Sequence, residues 1–228
     1  MIKAALFDLD GVVFDTETQY SIFWGAVGKE FHPELPDFAH RIKGQTLVQI
    51  YDKYFSDEAL FTHVAGFVSC KDEQAKITAR LDDFEQNMKY EYIAGFEDFL
   101  KDLEAHGVKC AVVTSSNMAK MQNVYKEHPE FKSYFDRILT SEDFAKSKPE
   151  PDCYLKGAAC FDAPPTECVG FEDSFNGLKA VRAAGAFTMG LATTNTADDI
   201  RPYSDYIIND YKNFTFNDLT EIVEHSHQ

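Results

Sequence analysis

Positive charge is the scarcest resource of this sequence. Only 22 Lys and Arg stand against 38 Asp and Glu, a formal net charge of −16. A surface of that sign repels nucleic-acid phosphates and anionic lipid headgroups, so neither a nucleic acid nor a membrane surface is expected as a partner. Long apolar runs are lacking as well, and nothing approaches the ~18 residues that a membrane span needs. The chain starts Met1-Ile2-Lys3 and meets two aspartates by position 10, which breaks any signal-peptide core and predicts a cytoplasmic location. Cysteine is sparse and odd in number: Cys70, Cys110, Cys153, Cys160 and Cys168, with no Cys-x-x-Cys pair. Several lie in apolar runs, such as Cys110-Ala111-Val112-Val113, and read as small buried hydrophobes in a reducing compartment. The histidines, His225 and His227 of the tail included, show no metal-ligand spacing, and the tail reads as solvent-exposed.

What is present is a core. Of 228 residues, 44% are hydrophobic, with 20 Phe and 11 Tyr, which excludes intrinsic disorder. At about 150 residues per domain the length suits one large domain or one and a half.

Short apolar runs recur and end abruptly on polar residues: 2–7 before Asp8, Val108–Val113 before Thr114, and Cys168–Phe171 before Glu172. Ala186–Ala192 and Tyr206–Ile208 repeat the pattern. Continuous rather than alternating apolar character suits strands buried on both faces, hence a parallel sheet. Between them Phe96, Phe99, Leu100 and Leu103, then Leu178, Val181 and Ala184, recur at helical spacing, with Gly107 and Gly185 just past the ends as caps. Strand and helix alternate from about residue 94 onward, which predicts a doubly wound α/β fold with helices on both faces of the sheet.

The stretch from about Asp15 to Tyr92 reads as all-helical. Tyr20, Phe23, Trp24, Val27 and Phe31 form one stripe, and Ile77, Leu81, Phe84 and Met88 another. Ser56-Asp57-Glu58 reads as a helix start before Leu60, Phe61, Val64 and Phe67, and His32–Phe38, with Pro33 and Pro36, reads as a loop. The expected division is an α/β core from 1–14 and 93–228 with a helical insert at 15–92.

Polar residues gather at the C-terminal ends of the strands, the edge where an open parallel sheet binds ligands. In Asp8-Leu9-Asp10-Gly11 the two aspartates would face one site, since residues i and i+2 of extended chain share a side. Such a pair can act as nucleophile and general acid/base, hold a hard metal ion, or simply cap a turn. Thr114-Ser115-Ser116-Asn117 offers hydroxyls and backbone N–H groups at a helix start, an anion-sized cradle. Lys148-Pro149-Glu150-Pro151 restrains a lysine, and Glu172-Asp173-Ser174 adds a second acidic pair. Asp8, Asp10, Asp15, Glu172 and Asp173 together would crowd five negative charges, unfavourable without a cation or protonation. Mg²⁺ suits these oxygen donors, with Lys148 as a further positive charge. The crowding would also favour a proton on Asp10.

These four elements, in this order, resemble the haloacid dehalogenase (HAD) superfamily, in the branch with a helical cap that includes β-phosphoglucomutase and many sugar-phosphate phosphatases. The resemblance spans essentially the whole chain. It implies a Rossmann-like core and a helical cap, with Asp8 as the nucleophile that forms an aspartyl-phosphate and Asp10 as general acid and then base. Thr114, Ser115 and Lys148 would bind the phosphoryl group. Mg²⁺ would sit on the Asp8 side chain, the Asp10 main-chain carbonyl and Asp173, with Glu172 beside or behind it.

Two departures bear on the reaction. Mutases of that branch carry a Lys-Gly-x-x-Arg cap motif that grips a second phosphate, whereas here Lys43-Gly44-Gln45-Thr46 is followed by Leu47. They also carry a histidine where this chain has Tyr20. Gly44, Gln45 and Thr46, with Lys71 as a cationic stand-in, are the candidate specificity residues of the cap. Losing a bidentate phosphate clamp is costly for a mutase, so the expectation is a monomeric Mg²⁺-dependent phosphatase for a small phosphate monoester of sugar or polyol type. A β-phosphoglucomutase-type phosphotransferase and a catalytically silent binding module are the alternatives.

Overall fold

The computed structural model describes residues 1–43, 45–56 and 70–226. The expected helix start at Asp57 and its stripe from Leu60 to Phe67 lie outside the described residues, as do Gly44 and His227.

Six parallel strands, β1 (Ala4–Phe7), β2 (Lys109–Val113), β3 (Arg137–Leu139), β4 (Cys168–Glu172), β5 (Phe187–Leu191) and β6 (Tyr206–Ile208), form one sheet in the order β3-β2-β1-β4-β5-β6. Every residue of β1, β4 and β5 is buried, which is why these strands read as unbroken apolar runs. The chain builds outward from β1 to β3, then returns to the other side of β1 with β4. This reversal opens a crevice at the carboxyl ends of the central strands. Register pairs Phe7 with Val112 on one side and with Phe171 on the other, so Asp8, Thr114 and Glu172 leave the sheet at neighbouring points.

The short edge strand β3 is not among the sequence expectations. With three residues, one of them Arg137, it has too few apolar positions to register as a run.

Helices cover both faces. On one side α5 (Phe96–Ala105), α6 (Met118–Glu127) and α10 (Phe216–His225) pack around Phe7, Phe99, Phe171 and Tyr211. On the other, α7 (Asp152–Ala159) and α8 (Phe175–Ala184) enclose Leu6, Val113, Tyr154 and Val181. The ends of α5 and α8 are as expected: Gly107 and Gly185 both adopt positive φ, 75° and 82°. His225 is exposed but belongs to α10. A four-residue helix, α9 (Ala197–Ile200), follows β5.

Between β1 and α5 lie α1 (Glu17–Phe31), α2 (Phe38–Arg41), α3 (Leu47–Tyr54) and α4 (Cys70–Asn87). No strand interrupts this stretch among the described residues. These helices gather a second apolar cluster of Trp24, Val27, Phe38, Ile50, Phe55, Ile77 and Leu81. Two of the expected stripes therefore pack inward, and the loop at His32 ends where Phe38 opens α2. Helix α3 fits the all-helical reading of this stretch, although no apolar stripe singled it out, and Thr46 and Gln49 form a capping box at its start.

The helical stretch is tied to β1 and α5 through Phe14, which bridges to Tyr92, and through Ile93 N–H, which donates to the Val13 carbonyl at 2.9 Å. Cys110, Cys153 and Cys168 are free and buried, as expected. No described helix is long and apolar enough to cross a membrane.

Candidate active site

The crevice at the sheet edge continues beneath α1, α3 and α4 as a cavity of about 540 Å³, within the range of small-molecule sites. Asp8, Asp10, Thr114, Ser115, Lys148 and Asp173 all line it. The four separate sequence elements thus converge on one space.

Lys148 is the electrostatic centre. Only 3% of its side chain is exposed, and its Nζ donates to Asp8 Oδ1 and to Glu172 Oε1, each at 2.6 Å. Burial works against the lysine's charge, but Asp8 and Glu172 outweigh it and hold the ammonium above its usual range. For Asp8 burial is the dominant influence and pushes the carboxyl up to about 7 against the pull of Lys148, with Glu172 and Asp10 adding to the rise.

Glu172 is fully buried, and both its oxygens are engaged. Oε1 accepts from Lys148 and from the Tyr154 hydroxyl at 2.8 Å. Oε2 accepts from the backbone N–H of Asp173 and from the backbone N–H and hydroxyl of Ser174. Glu172 is not among the residues that line the cavity, and it holds Lys148 from behind the cavity wall.

Asp173 differs. It is buried, it accepts from the Thr194 hydroxyl, and among the described residues no lysine, arginine or histidine pairs with it. Burial first, then the charges of Glu17, Glu172 and Asp8, raise its carboxyl well above the usual range. Carboxylate oxygens of Asp8, Glu172 and Asp173 lie within 4.8 Å of one another. A buried carboxyl with no cation, beside two that share a single lysine, is a donor set suited to a hard divalent cation such as Mg²⁺. Gly11 leaves the room: its φ is +73°, and a Cβ there would overlap the Asp173 carboxyl.

The acidic cluster is smaller than the sequence reading expected. Asp15 is exposed, with its backbone N–H on the Glu91 carbonyl, and stands apart from the group. The Asp10 carboxyl lies outside it too, held by the Thr16 hydroxyl at 2.5 Å, the Ser116 hydroxyl at 3.0 Å and the Lys120 ammonium. Its ion-pair partner is a buried lysine absent from every motif. One signal was available: Lys120 lies four residues before Val124, on the apolar stripe of α6.

The expected cradle residues stand together at the start of α6, with several of their N–H groups engaged within the protein. Thr114 is buried with its N–H on the Leu139 carbonyl, its Oγ1 accepts from Ser116 N–H at 3.0 Å, and the Asn117 side chain caps α6 by accepting from Lys120 N–H. Ser115 faces the cavity at this helix start.

The candidate specificity residues divide. Gln45 and Thr46 line the cavity, whereas Lys71 is exposed and is not among its lining residues. The stand-in role for Lys71 is thereby withdrawn: residue 71 lies in the first turn of α4 and faces outward. Lys43 is the cationic residue of this wall, 3.5 Å from Glu17 Oε2 and 3.4 Å from the Thr194 carbonyl. Gln49 of α3 donates to the Lys148 carbonyl at 3.2 Å, so the helices roof the site directly.

Comparison with known proteins agrees with this geometry. Residues 2–185 match the family of haloacid dehalogenase-like hydrolases. A bifunctional riboflavin kinase/FMN phosphatase of Arabidopsis thaliana is 26% identical over 214 residues, 91% of this chain but only 53% of that protein, so the chain spans about half of it. The β-phosphoglucomutase of Bacillus subtilis is 25% identical over 196 residues, covering 83% of each chain. The crystal structure of CbbY from Rhodobacter sphaeroides in complex with phosphate superposes with a TM-score of 0.73 at 21% identity, over 96% of this chain and 100% of that one, and so shares its fold.

Proposed function

The chain belongs to the haloacid dehalogenase-like hydrolases, and from that premise we propose that it is a phosphatase that cleaves a small phosphate monoester, of a sugar or polyol, with Mg²⁺ and through an aspartyl-phosphate on Asp8. The observation that carries this reading is the convergence on one cavity of Asp8, the Thr114–Ser115 cradle, Lys148 and Asp173, which has no cationic partner among the described residues.

Asp8 attacks phosphorus while the ester oxygen departs as an alcohol with a proton from Asp10. Water then attacks the phosphorus of the aspartyl-phosphate, Asp10 takes the proton, and inorganic phosphate leaves with Asp8 restored. Lys148 and the Thr114 and Ser115 hydroxyls hold the phosphoryl oxygens and offset their charge. Asp8, Asp173 and the Asp10 main-chain carbonyl would hold Mg²⁺, which would supply the remaining positive charge. Glu172 keeps Lys148 and the neighbouring backbone in place. Helices α1 to α4 act as a cap, with Gln45 and Thr46 on its inner wall reading the leaving group and closing out water.

Hydrolysis is favoured over the mutase reaction by the same wall. Leu47 occupies the place of the mutase arginine and lines the cavity, and among the described residues no arginine does. The intact set of Asp8, Asp10, Lys148 and Asp173 speaks against a silent module. The buried free thiols of Cys110, Cys153 and Cys168 suit work in the reducing cytoplasm, and we propose a monomer there.

The test is release of inorganic phosphate from a panel of sugar and polyol phosphates, with Mg²⁺ and with chelator, alongside Asp8→Asn. Chelator-sensitive release that Asp8→Asn abolishes is the expected result. No release, with glucose 6-phosphate formed from β-glucose 1-phosphate, would replace the phosphatase by the mutase. Near-normal activity of Asp8→Asn would overturn the mechanism.

A further inference from the structure

Lys120 is 4% exposed at its side chain, sits in the first turn of α6, and has its ammonium on Asp10 Oδ2. The same Nζ lies 4.4 Å from the centre of the Tyr20 ring in α1, a cation–π distance. The Tyr20 hydroxyl in turn donates to Glu85 Oε1 of α4 at 2.7 Å. Asp10 is therefore the end of a continuous contact chain, Asp10–Lys120–Tyr20–Glu85, that runs from the sheet edge through α6 into two helices of the roof. Its other oxygen accepts from Thr16, immediately before α1.

A carboxyl that must serve a leaving group and then a water needs a fixed direction, because small misplacements of a reacting group cost large factors in rate. Ser116 and Thr16 give it two hydroxyl donors, each able to rotate. Lys120 adds a buried cation with little freedom, clamped between the carboxyl and an aromatic face.

We propose that Lys120 is a positioning residue of the reaction, holding the Asp10 carboxyl in its working orientation and, through Tyr20 and Glu85, setting that orientation by the placement of α1 and α4. The proposal rests on the phosphatase reading and adds to it a residue outside all four motifs. It also accounts for Tyr20, whose ring carries the lysine and whose hydroxyl anchors that ring to α4.

The experiment compares kcat/KM for two kinds of substrate. p-Nitrophenyl phosphate has a leaving group that departs without a proton, and kcat/KM reports only the steps up to its departure. The best sugar phosphate of the panel has an alkoxide leaving group and depends on Asp10 in those steps. Lys120→Met is expected to lower kcat/KM for the sugar phosphate about tenfold or more while leaving the p-nitrophenyl phosphate value within about twofold. Lys120→Arg keeps the charge and the donors but shifts them, and is expected to give the same selective loss in milder form. It carries the test should Lys120→Met fail to fold, as judged by thermal melting.

Equal losses on both substrates in a folded variant would assign Lys120 to phosphate binding or to the fold and overturn the proposal, as would no loss on either. Absence of phosphate release by the unsubstituted protein on every substrate would overturn the phosphatase reading itself, a different result from the other two.

Discussion

Gly177 stands against the Glu172 carboxyl so closely that a Cβ at position 177 would overlap the carboxyl carbon and both its oxygens. The first turn of α8 and the counter-ion of Lys148 share one space, and only a residue without a side chain permits it. Gly177→Ala must push Glu172 off Lys148, Tyr154 and the Ser174 N–H together. Overpacking of this kind costs roughly 1–3 kcal/mol, or a fall of about 2–12 °C in melting temperature for a chain this long. Turnover should fall by more than the stability change accounts for, because the displaced partner is that of Lys148, the lysine proposed to bind the phosphoryl group. Melting curves and phosphate release on the same preparation check both.

Removal of Lys148 should be felt by the fold as well as by the reaction. Lys148→Met leaves Glu172 fully buried with no cation, and breaking a buried pair from one side typically costs about 3–5 kcal/mol. Mg²⁺ bound at the proposed site of Asp8 and Asp173 should relieve part of this. The variant should melt roughly 6–20 °C below the parent without Mg²⁺, with the gap narrowing when Mg²⁺ is added. An unchanged melting temperature would contradict the burial and pairing of Lys148.

Sequence and structure agree best where a strand is buried on both faces, and least where a residue's role depends on which way a helix turns. The runs ending at Asp8, Thr114 and Glu172 were legible because no polar residue interrupts β1, the apolar part of β4 or the inner part of β2. β3 was not, since an edge strand of Arg137, Ile138 and Leu139 carries only two apolar residues. Asp8, Asp10, Thr114 and Asp173 were legible as a group because strand ends in a parallel sheet share an edge whatever the loops do. Lys148, in the connection after β3, was legible only from its Lys-Pro-Glu-Pro motif. Lys71 and Lys120 were beyond such reasoning. Both are lysines of helix first turns, and only the packing of α4 and α6 turns one outward and the other onto Asp10.

Asp173 has no cationic partner among the described residues, so a divalent ion bound there should stabilise the folded chain. Ligand linkage gives about 2.7 kcal/mol at a hundred times the dissociation constant, which corresponds to a rise of about 5–11 °C in melting temperature. Asp173→Asn should abolish most of this rise, whether or not any substrate is present. Equal shifts in the parent and in Asp173→Asn would place the ion elsewhere.

Acid sensitivity should appear at a site far from the reaction. Asp136, just before β3, accepts from Lys109 Nζ at 2.7 Å and from the Cys110 N–H at 3.0 Å, both on β2. Partial burial works against its charge, but the Lys109 hydrogen bond, then the backbone N–H, outweigh it and hold the carboxyl below the usual range. A depressed folded-state value means that the unfolded chain takes up the proton first as pH falls. The stabilisation is complete above about pH 4, the ordinary aspartate range, and is lost as pH drops through the lower folded-state value. With a third of the side chain in solvent, 34%, the contribution is at most about 1 kcal/mol. Asp136→Asn should therefore melt about 2–4 °C lower at pH 7, and the two melting temperatures should converge below pH 4. A gap that widened on acidification would show that Asp136 is not held as a carboxylate by Lys109 and Cys110.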